Sequence, residues 1–296
     1  MPLTALTELL RQARSAGYAV GYFEAWDGYS LEAVLDAAQT ERSPVILGFG
    51  CKMVDTGWLD AGGIERWGAY GNCVARRARV PVALLLNEAQ SRAQAARALE
   101  AGFNAVMLDT AELPPERALE DVALLVRAAR PRGIAVEAEV GRLPDAGPGG
   151  AVVAPGRLTE PEEARAFVAA TGVDALAVSV GNVHLLASGA ASIDSVRLGR
   201  IRRAVDVPLV IHGGTGFPPE RVPEAIASGV AKFNVGTVLK QDFLDGLCGA
   251  LDGSGAGGVH DLLGSRRQAD VLTAGAARVR ARVCRLMRLY GSSGRS

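Results

Sequence analysis

The stretch Leu209-Val-Ile-His-Gly-Gly-Thr-Gly216 passes from a short apolar run to a histidine and then to a glycine-rich loop. Leu176-Ala-Val-Ser-Val-Gly-Asn-Val-His184 has a similar form and also ends at a histidine. Runs that are apolar at successive positions, rather than at alternating ones, are typical of parallel strands covered on both faces. Each stretch therefore predicts a buried strand that leads into a loop carrying an imidazole.

Short apolar runs of this kind recur along the chain and alternate with amphipathic stretches such as Leu31–Arg42 and Pro115–Arg130. Eight strand–helix repeats in 296 residues predict an α/β protein with a (β/α)8 TIM barrel. A doubly wound open sheet is the rival, but it would not need eight equivalent units. The predicted strands are Ala19–Phe23, Val45–Phe49, Val82–Leu86, Ala105–Asp109, Ala135–Val140, Ala175–Val180, Leu209–His212 and Lys232–Val235.

Both ends of the chain extend beyond these repeats. A helical pattern over Leu3–Ala16 precedes the first strand, and the stretch Gly253–Gly258 interrupts the repeat pattern. The arginine-rich helical segment Val259–Leu289 adds no strand. We therefore expect residues 1–250 to form the barrel and residues 259–296 to form a C-terminal helical extension of the same domain. This extension would pack on the barrel or on a neighbouring subunit.

The composition narrows the possible functions. Thirty-two basic residues offset 32 acidic ones, which gives no support to binding of nucleic acid or of a membrane surface through net charge. The chain has no signal-peptide pattern at its start and no run of about 18 apolar residues that could span a bilayer. Its four cysteines lack metal-ligand spacing, as free thiols do in a reducing compartment. We expect a soluble cytoplasmic protein.

Polar side chains mark the ends of seven of the eight predicted strands. In TIM barrels the chemistry gathers at the carboxyl ends of the strands, so these side chains predict one shared site at that end of the barrel. A barrel with only a structural role would not need them. In chain order they are Glu24, Asn87, Glu88, Asp109, Glu137, Glu139, His184, His212, Asn234 and Thr237.

Glu137 and Glu139 are two residues apart, so both side chains point to the same face of the predicted strand. An unpaired carboxylate buried in a barrel costs several kcal/mol, so at least one of them should meet a cation. An ion pair with an arginine such as Arg142 would meet this need. A divalent ion would meet it as well, and these ligands suit zinc, iron, manganese or cobalt better than calcium. The candidate metal ligands are Glu139, His184, His212 and Glu88.

Glycines and hydroxyl side chains follow the last two predicted strands. Barrel enzymes commonly bind a phosphate at this place, through backbone N–H groups that glycine leaves accessible. Lys232 could form a Schiff base, but its position within the strand favours a charge-neutralising role. The candidate phosphate-binding residues are Gly213, Gly214, Thr215, Asn234, Gly236 and Thr237.

Three motifs carry a family resemblance: Val136-Glu-Ala-Glu-Val-Gly141, Leu209-Val-Ile-His-Gly-Gly-Thr-Gly216 and Gly229-Val-Ala-Lys-Phe-Asn-Val-Gly-Thr237. With them the chain resembles the class II, metal-dependent ketose-bisphosphate aldolases, from Leu6 to about Leu244 and again over the final residues from Leu289. The resemblance implies a TIM barrel that binds Zn²⁺ or a similar divalent ion and assembles as a homodimer or homotetramer. It also implies reversible cleavage of a phosphorylated ketose, through an enediolate, to dihydroxyacetone phosphate and an aldehyde.

The resemblance also assigns roles to residues and exposes departures from the family pattern. It makes His184 and His212 metal ligands, brings Glu139 close to the metal, and places the candidate phosphate-binding residues around the ketose phosphate. The family carries an Asp-His pair, as acid/base and third metal ligand, where this chain has Asn87 and Glu88. Two further departures are Glu24 in place of an asparagine that touches the substrate, and Leu185 in place of a glycine.

Asn87 cannot exchange a proton at neutral pH, so the departures bear directly on the reaction. We expect a divergent metal-dependent aldolase in which proton transfer has moved to Glu24 or Glu88. Isomerisation or epimerisation of a sugar phosphate is an alternative, since it needs the phosphate loops and one base. A non-catalytic sugar-phosphate binder is a third, for which Asn87 is the best support. The candidate catalytic residues are Asn87, Glu88, Glu24 and Asp109.

Overall fold

The strands follow from the apolar runs of the sequence. The computed structural model of the protein describes residues 3–147, 151–154, 156–186, 189–253 and 258–296. Its strands are β1 (Val20–Ala25), β2 (Val45–Gly50), β3 (Val82–Ala89), β4 (Ala105–Leu108), β5 (Ala135–Val140), β6 (Asp145–Ala146), β7 (Val152–Ala154), β8 (Ala175–Val178), β9 (Leu209–Ile211) and β10 (Val230–Val235).

Eight of these strands close into a parallel barrel in the order β1-β2-β3-β4-β5-β8-β9-β10, with β10 pairing back onto β1. The predicted TIM barrel is confirmed. The remaining two, β6 and β7, form an antiparallel hairpin between β5 and β8 that the sequence analysis does not predict. This hairpin lies within the segment Arg142–Arg157, whose two end residues bond to each other through their backbones.

Helices separate the barrel strands, and several of them begin or end at capping residues. The side chain of Asp27 caps α2 in a reciprocal arrangement with Ser30, and Gly172 ends α7 in the left-handed conformation that glycine adopts at no steric cost. The helices are α1 (Leu6–Ala16), α2 (Gly28–Glu41), α3 (Thr56–Trp58), α4 (Ile64–Ala75), α5 (Arg92–Ala101), α6 (Pro115–Ala129), α7 (Pro161–Thr171), α8 (Ser195–Ala204), α9 (Val222–Ala227), α10 (Thr237–Asp252), α11 (Val259–Leu262) and α12 (Val271–Leu289).

At their carboxyl ends, three barrel strands (β1, β2 and β3) run further than their apolar runs predict. The sequence ends the first run at Phe23 and the third at Leu86, but Glu24 pairs with β2 and Asn87 pairs with Gly50. Polar side chains are tolerated there because this end of the barrel surrounds a cavity. The candidate catalytic residues of these strands are therefore held by strand backbone rather than by loops.

Helix α1 closes the opposite end of the barrel. Its leucines Leu6, Leu9 and Leu10 are fully buried and cluster with interior residues of the strands, many of which are alanines. The backbone N–H of Thr4 donates to Val82 at the start of β3, which fixes the helix against the amino ends of the strands. Burial of about three leucines is worth several kcal/mol, so α1 anchors this end of the barrel.

The C-terminal segment differs from the single helical stretch predicted over Val259–Leu289. It divides into the short α11 and the long α12, which packs against α2 and α10. Arg282 of α12 forms a bidentate ion pair with Asp242 of α10. Residues 254–257 of the predicted break lie outside the described residues, so the division into 1–250 and 259–296 stays a prediction. No helix in the described ranges is long and apolar enough to cross a membrane.

Candidate active site

A cavity of about 390 Å³ opens at the carboxyl ends of the barrel strands. This is the end where barrel enzymes place their chemistry, and most of the candidate site residues of the sequence line it. The lining residues are Tyr22, Glu24, Gly50, Lys52, Met53, Asn87, Glu88, His184, Leu185, His212, Gly213, Thr215, Asn234, Val235, Gly236, Thr237, Lys240, Gln241 and Leu244.

Three potential metal ligands meet in this cavity. One donor atom from each of Glu88, His184 and His212 lies within 4.8 Å of the other two. The two imidazole rings are nearly parallel, at 27°, with their centroids 5.6 Å apart. Asn182 fixes the strand ends that carry the rings, because its side-chain amide donates to the carbonyls of both Val178 and His212.

A buried charge network orients His212. Its Nε2 lies 3.0 Å from Oε1 of Glu137, which leaves Nδ1 directed toward the other candidate metal ligands. The Nζ of Lys232 lies 2.8 Å from Oε2 of Glu137, and both side chains are fully buried. Burial alone would raise the pKa of Glu137, but Lys232 and His212 lower it to about 2. Lys232 therefore has the charge-neutralising role that the sequence favours, and Glu137 meets the cation predicted for one of the two glutamates.

His184 is held by the hairpin. Its Nδ1 lies 3.5 Å from Oδ1 of Asp145 and 3.4 Å from Nζ of Lys52. Its backbone bonds to Pro144 and Ala146 on either side of that aspartate. Burial lowers the pKa of His184, but the Asp145 carboxylate, Glu88 and Glu139 outweigh it, so the net pKa is raised.

The remaining donor is Glu139. Its Oε2 is buried without a hydrogen-bond partner and lies 3.4 Å from Nδ1 of His212. Burial raises the pKa of Glu139, as expected for a carboxylate that lacks a cation. Both histidines also present one ring nitrogen to a carboxylate, which is the usual support of metal-bound imidazoles. The two imidazole nitrogens and the Glu88 carboxylate fit a divalent ion, with Glu139 beside them. The predicted ion pair of these glutamates with Arg142 is wrong, because Arg142 pairs with Glu112.

Asn87 and Glu88 enter the cavity at an irregularity of β3. The register of β3 against β4 shifts between Leu86 and Ala89, and Glu88 has a φ of 54°. Residues other than glycine rarely adopt this left-handed backbone conformation, and those that do cluster at functional sites. The amide of Asn87 donates to Oε2 of Glu88 at 2.9 Å, while its buried Oδ1 has no partner. Asn87 thus orients Glu88 and leaves one acceptor facing the site.

Glu24 lies on the cavity wall formed by β1, between two glycines. A Cβ atom at Gly236 would overlap its Oε2, and one at Gly50 would come within 3.0 Å of its Oε1. These glycines therefore make room for the carboxylate. Its Oε1 also accepts a hydrogen bond from Nζ of Lys240 at 2.6 Å. Burial raises the pKa of Glu24, although Lys240 opposes the shift.

The two predicted phosphate loops lie side by side. Gly213, with a φ of 67°, and Thr215 follow β9, while Gly236 and Thr237 form the start of the 16-residue helix α10. The hydroxyl of Thr215 accepts from the backbone N–H of Val238 at 3.3 Å, which joins the two loops. Helix N-termini attract anions because their N–H groups and dipole point outward.

Three candidate residues stand apart from the main cavity. Gly214 is buried behind the phosphate loop, where a Cβ would press on the carbonyl of Asn234. Asp109 and Glu139 line a small adjacent cavity of about 70 Å³, and a carboxylate oxygen of Asp109 accepts from the N–H of Ala111. The structure thus separates Asp109 from the other catalytic candidates, Glu24, Asn87 and Glu88.

Sequence reasoning missed Asp145 and Lys240, which contact site residues directly. Asp145 sits in the hairpin, for which the sequence gives no periodic signal. Lys240 lies one turn after Thr237 on the predicted phosphate helix, so helical spacing could have found it. Lys52 also contacts a site residue, His184. It is one of only three lysines in the chain, and this rarity is the sequence feature that could have drawn attention to it.

Comparison with known proteins places these features in a family. The family described as fructose-bisphosphate aldolase class-II matches residues 4–295. The chain belongs to the class II fructose-bisphosphate aldolase family. A probable fructose-bisphosphate aldolase of Bacillus subtilis (strain 168) is 35% identical over 246 residues, which cover 80% of this chain and 82% of the relative. The fructose-bisphosphate aldolase of Thermus caldophilus is 36% identical over 260 residues, with 80% and 83% covered.

Solved structures of aldolases share the fold of this class II aldolase. The YdjI aldolase from Escherichia coli K12 superposes with a TM-score of 0.81 at 28% identity and covers 99% of both chains. A putative fructose-1,6-biphosphate aldolase from Coccidioides immitis gives 0.81 at 29% identity, covering 98% of this chain and 97% of its own. This aldolase is therefore a lyase of the aldol-cleaving type, as the sequence predicts. Its family depends on divalent metal ions, which the ligand set around His212 fits.

Proposed function

We propose that this aldolase cleaves a ketose phosphate to a dihydroxyacetone phosphate-type fragment and an aldehyde, with Glu24 as the acid/base. The observation that carries the proposal is the position of the Glu24 carboxylate between Gly50 and Gly236, beside the start of α10. The family's aspartate is replaced by Asn87, whose amide does not exchange protons at neutral pH. Glu24 is the titratable carboxylate of the cavity wall that the ligand set leaves free.

The proposed metal ligands are Glu88, His184 and His212, with Glu139 able to complete the set. We propose zinc, because imidazole and carboxylate ligands in a four-coordinate site are typical of it. When bound, the ion supplies a Lewis acid that polarises the ketone of the substrate. Glu137 contacts the second ring nitrogen of His212, and Asp145 contacts that of His184, so the two carboxylates hold the imidazoles in place.

The substrate phosphate would lie against Gly213, Thr215, Gly236 and Thr237, with Asn234 at its edge. Backbone N–H groups and two hydroxyls are the donors there, and the α10 dipole favours the anion. Gly214 contributes by its small size, which lets the loop pack on β10. This placement would leave the carbon chain of the ketose between Glu24 and the two histidines.

The proton steps follow from this placement. In cleavage, the hydroxyl on the carbon that becomes the aldehyde loses its proton to Glu24 as the neighbouring C–C bond breaks. The electron pair of that bond moves onto the three-carbon fragment, and the carbon freed by the cleavage then takes the proton back from Glu24. Asn87 orients Glu88 and can accept a substrate hydroxyl at its free Oδ1. Asp109 faces the adjacent cavity, so we assign it no proton transfer.

A product assay with metal removal tests the proposal. The purified protein is incubated with a panel of ketose mono- and bisphosphates, before and after chelation, and formation of dihydroxyacetone phosphate is measured. We expect chelation to abolish cleavage and zinc to restore it. His212→Ala should bind less metal by elemental analysis, whereas His260→Ala, an exposed histidine outside the cavity, should bind as the parent does. Unchanged cleavage after complete metal removal would overturn the metal site.

The homodimer or homotetramer and the cytoplasmic location stay predictions of the sequence.

The matched relatives are named as fructose-bisphosphate aldolases, so fructose bisphosphate is included in the substrate panel. The panel also tests sugar-phosphate isomerisation, which would consume ketose without forming a three-carbon fragment.

A further inference from the structure

The outer part of the active-site cavity is lined by exposed apolar side chains. Met53, Leu185 and Leu244 line the cavity and are exposed by 68%, 36% and 55%. Single exposed apolar residues are ordinary, but several around one cavity mark a place where apolar ligand surface is bound. We call these three residues the apolar mouth.

Helix α10 connects the phosphate loops to the apolar mouth. Thr237, Lys240, Gln241 and Leu244 line the cavity, at the spacing of one helical face. Leu244 is seven residues beyond Thr237, which is about 10 Å along the helix axis at 1.5 Å per residue. A ketose with its phosphate at the start of α10 would therefore point its far end, the aldehyde half, toward the apolar mouth.

The charges of the cavity leave little to attract a second phosphate. Among the described lining residues, the amine or guanidinium groups are those of Lys52 and Lys240. Lys240 is bound to Glu24 at 2.6 Å, and Lys52 lies 3.6 Å from Asp145. These two cations face carboxylates of the site, so neither is free to neutralise a phosphate at the far end of the substrate.

Two arginines at the ends of the hairpin segment are also engaged by carboxylates. Arg142 borders the small adjacent cavity and pairs with Glu112 at 2.6 Å. Arg157, at the other end of the hairpin segment, pairs with Glu163 at 2.6 Å. A second phosphate would thus meet exposed leucine and methionine side chains and paired cations, which is a poor environment for a dianion.

We infer that this aldolase acts on ketose monophosphates whose aldehyde half is uncharged and ends in an apolar group. The inference rests on the proposed function, because it takes the phosphate loops as the site of the single phosphate. An aldehyde with two or three carbons beyond its carbonyl would bury them against Leu185 and Leu244. Each buried methylene strengthens binding by a few-fold.

Aldol addition with defined aldehydes tests the inference. Dihydroxyacetone phosphate is supplied with butanal, lactaldehyde or glyceraldehyde 3-phosphate, and kcat/KM is measured for each aldehyde with the zinc-loaded protein. We expect butanal and lactaldehyde to exceed glyceraldehyde 3-phosphate by about tenfold or more. A preference for glyceraldehyde 3-phosphate would overturn the inference.

A charge variant sharpens the test. Leu244→Lys places a free cation at the apolar mouth and should shift the preference at least about tenfold toward glyceraldehyde 3-phosphate. Leu251→Lys, two turns further along α10 and outside the cavity lining, is the matched control and should keep the parent's preference. An unchanged preference in Leu244→Lys would show that the mouth does not contact the aldehyde, and would also overturn the inference.

One further measurement separates this inference from the proposed function. Exchange of the dihydroxyacetone phosphate C3 proton with deuterated water, followed by NMR, needs no aldehyde. Exchange together with a preference for the phosphorylated aldehyde overturns the inference alone. Absence of exchange, and of addition with every aldehyde, overturns the proposed function and the inference with it.

Discussion

The two sides of the cavity differ in how closely they follow the family pattern. On the side formed by β8, β9 and β10, the histidines and both glycine-rich loops belong to the motifs by which the sequence resembles the aldolases. On the side formed by β1 and β3, Glu24, Asn87 and Glu88 stand at positions where the resemblance predicts other residues. The first side contains the two proposed imidazole ligands and the phosphate contacts, and the second contains the proposed proton transfer and the proposed ligand Glu88.

With the proposed roles, phosphate binding and proton transfer would occupy separable parts of the barrel. The support of His212 comes from Glu137 and Lys232, neither of which contacts the altered residues through a hydrogen bond. The new carboxylate, Glu24, has its own support in Lys240. Proton chemistry can therefore move from one strand end to another while the phosphate loops stay unchanged.

The largest expected effect concerns Glu137, which supports His212 on the β8–β10 side of the cavity. Glu137→Gln leaves Lys232 buried without its counter-charge, which should lower the free energy of unfolding by about 3–5 kcal/mol. The double variant Glu137→Leu/Lys232→Met removes both charges and should lose less. Urea unfolding of the three proteins measures this, and equal stability of Glu137→Gln and the parent would contradict it.

The same residue gives the parent a pH dependence. Because the folded-state pKa of Glu137 is about 2 and its ordinary value is 4.5, its stabilisation is present above pH 4.5 and is lost as the pH falls toward 2. The difference in unfolding free energy between the parent and Glu137→Gln should therefore shrink over that range. Urea titrations at several pH values would show it.

The next effect tests whether proton transfer has moved to the altered side. Glu24→Gln should lower kcat about 100-fold, as loss of a general acid/base does. Because burial raises the pKa of Glu24, the parent's activity should rise with pH through a value above 4.5, and the variant should lose this limb. Adding Asn87→Asp to the Glu24→Gln variant should raise its kcat about tenfold. If the Glu24→Gln variant keeps the rise of activity with pH, that rise belongs to another titratable group.

The smallest effect concerns Leu185, which has a φ of 57° at a position where the resemblance predicts a glycine. Leu185→Gly should be about 1 kcal/mol more stable than Leu185→Ala, because only glycine relieves the left-handed backbone. Thermal unfolding of the two variants, which both lack the leucine side chain, measures this strain. Equal stability would mean that the position carries no strain.

Local signals of the sequence predicted much of this site. Apolar runs predicted each barrel strand, and residues at or just after the ends of those runs, such as His184 and His212, meet in the cavity. The pairing of Glu24 with Lys240 spans 216 positions and depends on closure of the barrel, so no local pattern reveals it. Asp109 follows the same strand-end rule but turns toward the N–H of Ala111, which the rule cannot foresee.

The hairpin of β6 and β7 has a consequence for divergence within the family. One ligand candidate, His184, is bonded through its backbone to the segment around Asp145, which lies outside the barrel sheet. Changes in the length or sequence of that excursion can shift this imidazole without disturbing any β-barrel hydrogen bond. At the proposed metal site such changes would move one ligand relative to the others, which makes the hairpin a target for directed evolution of metal preference.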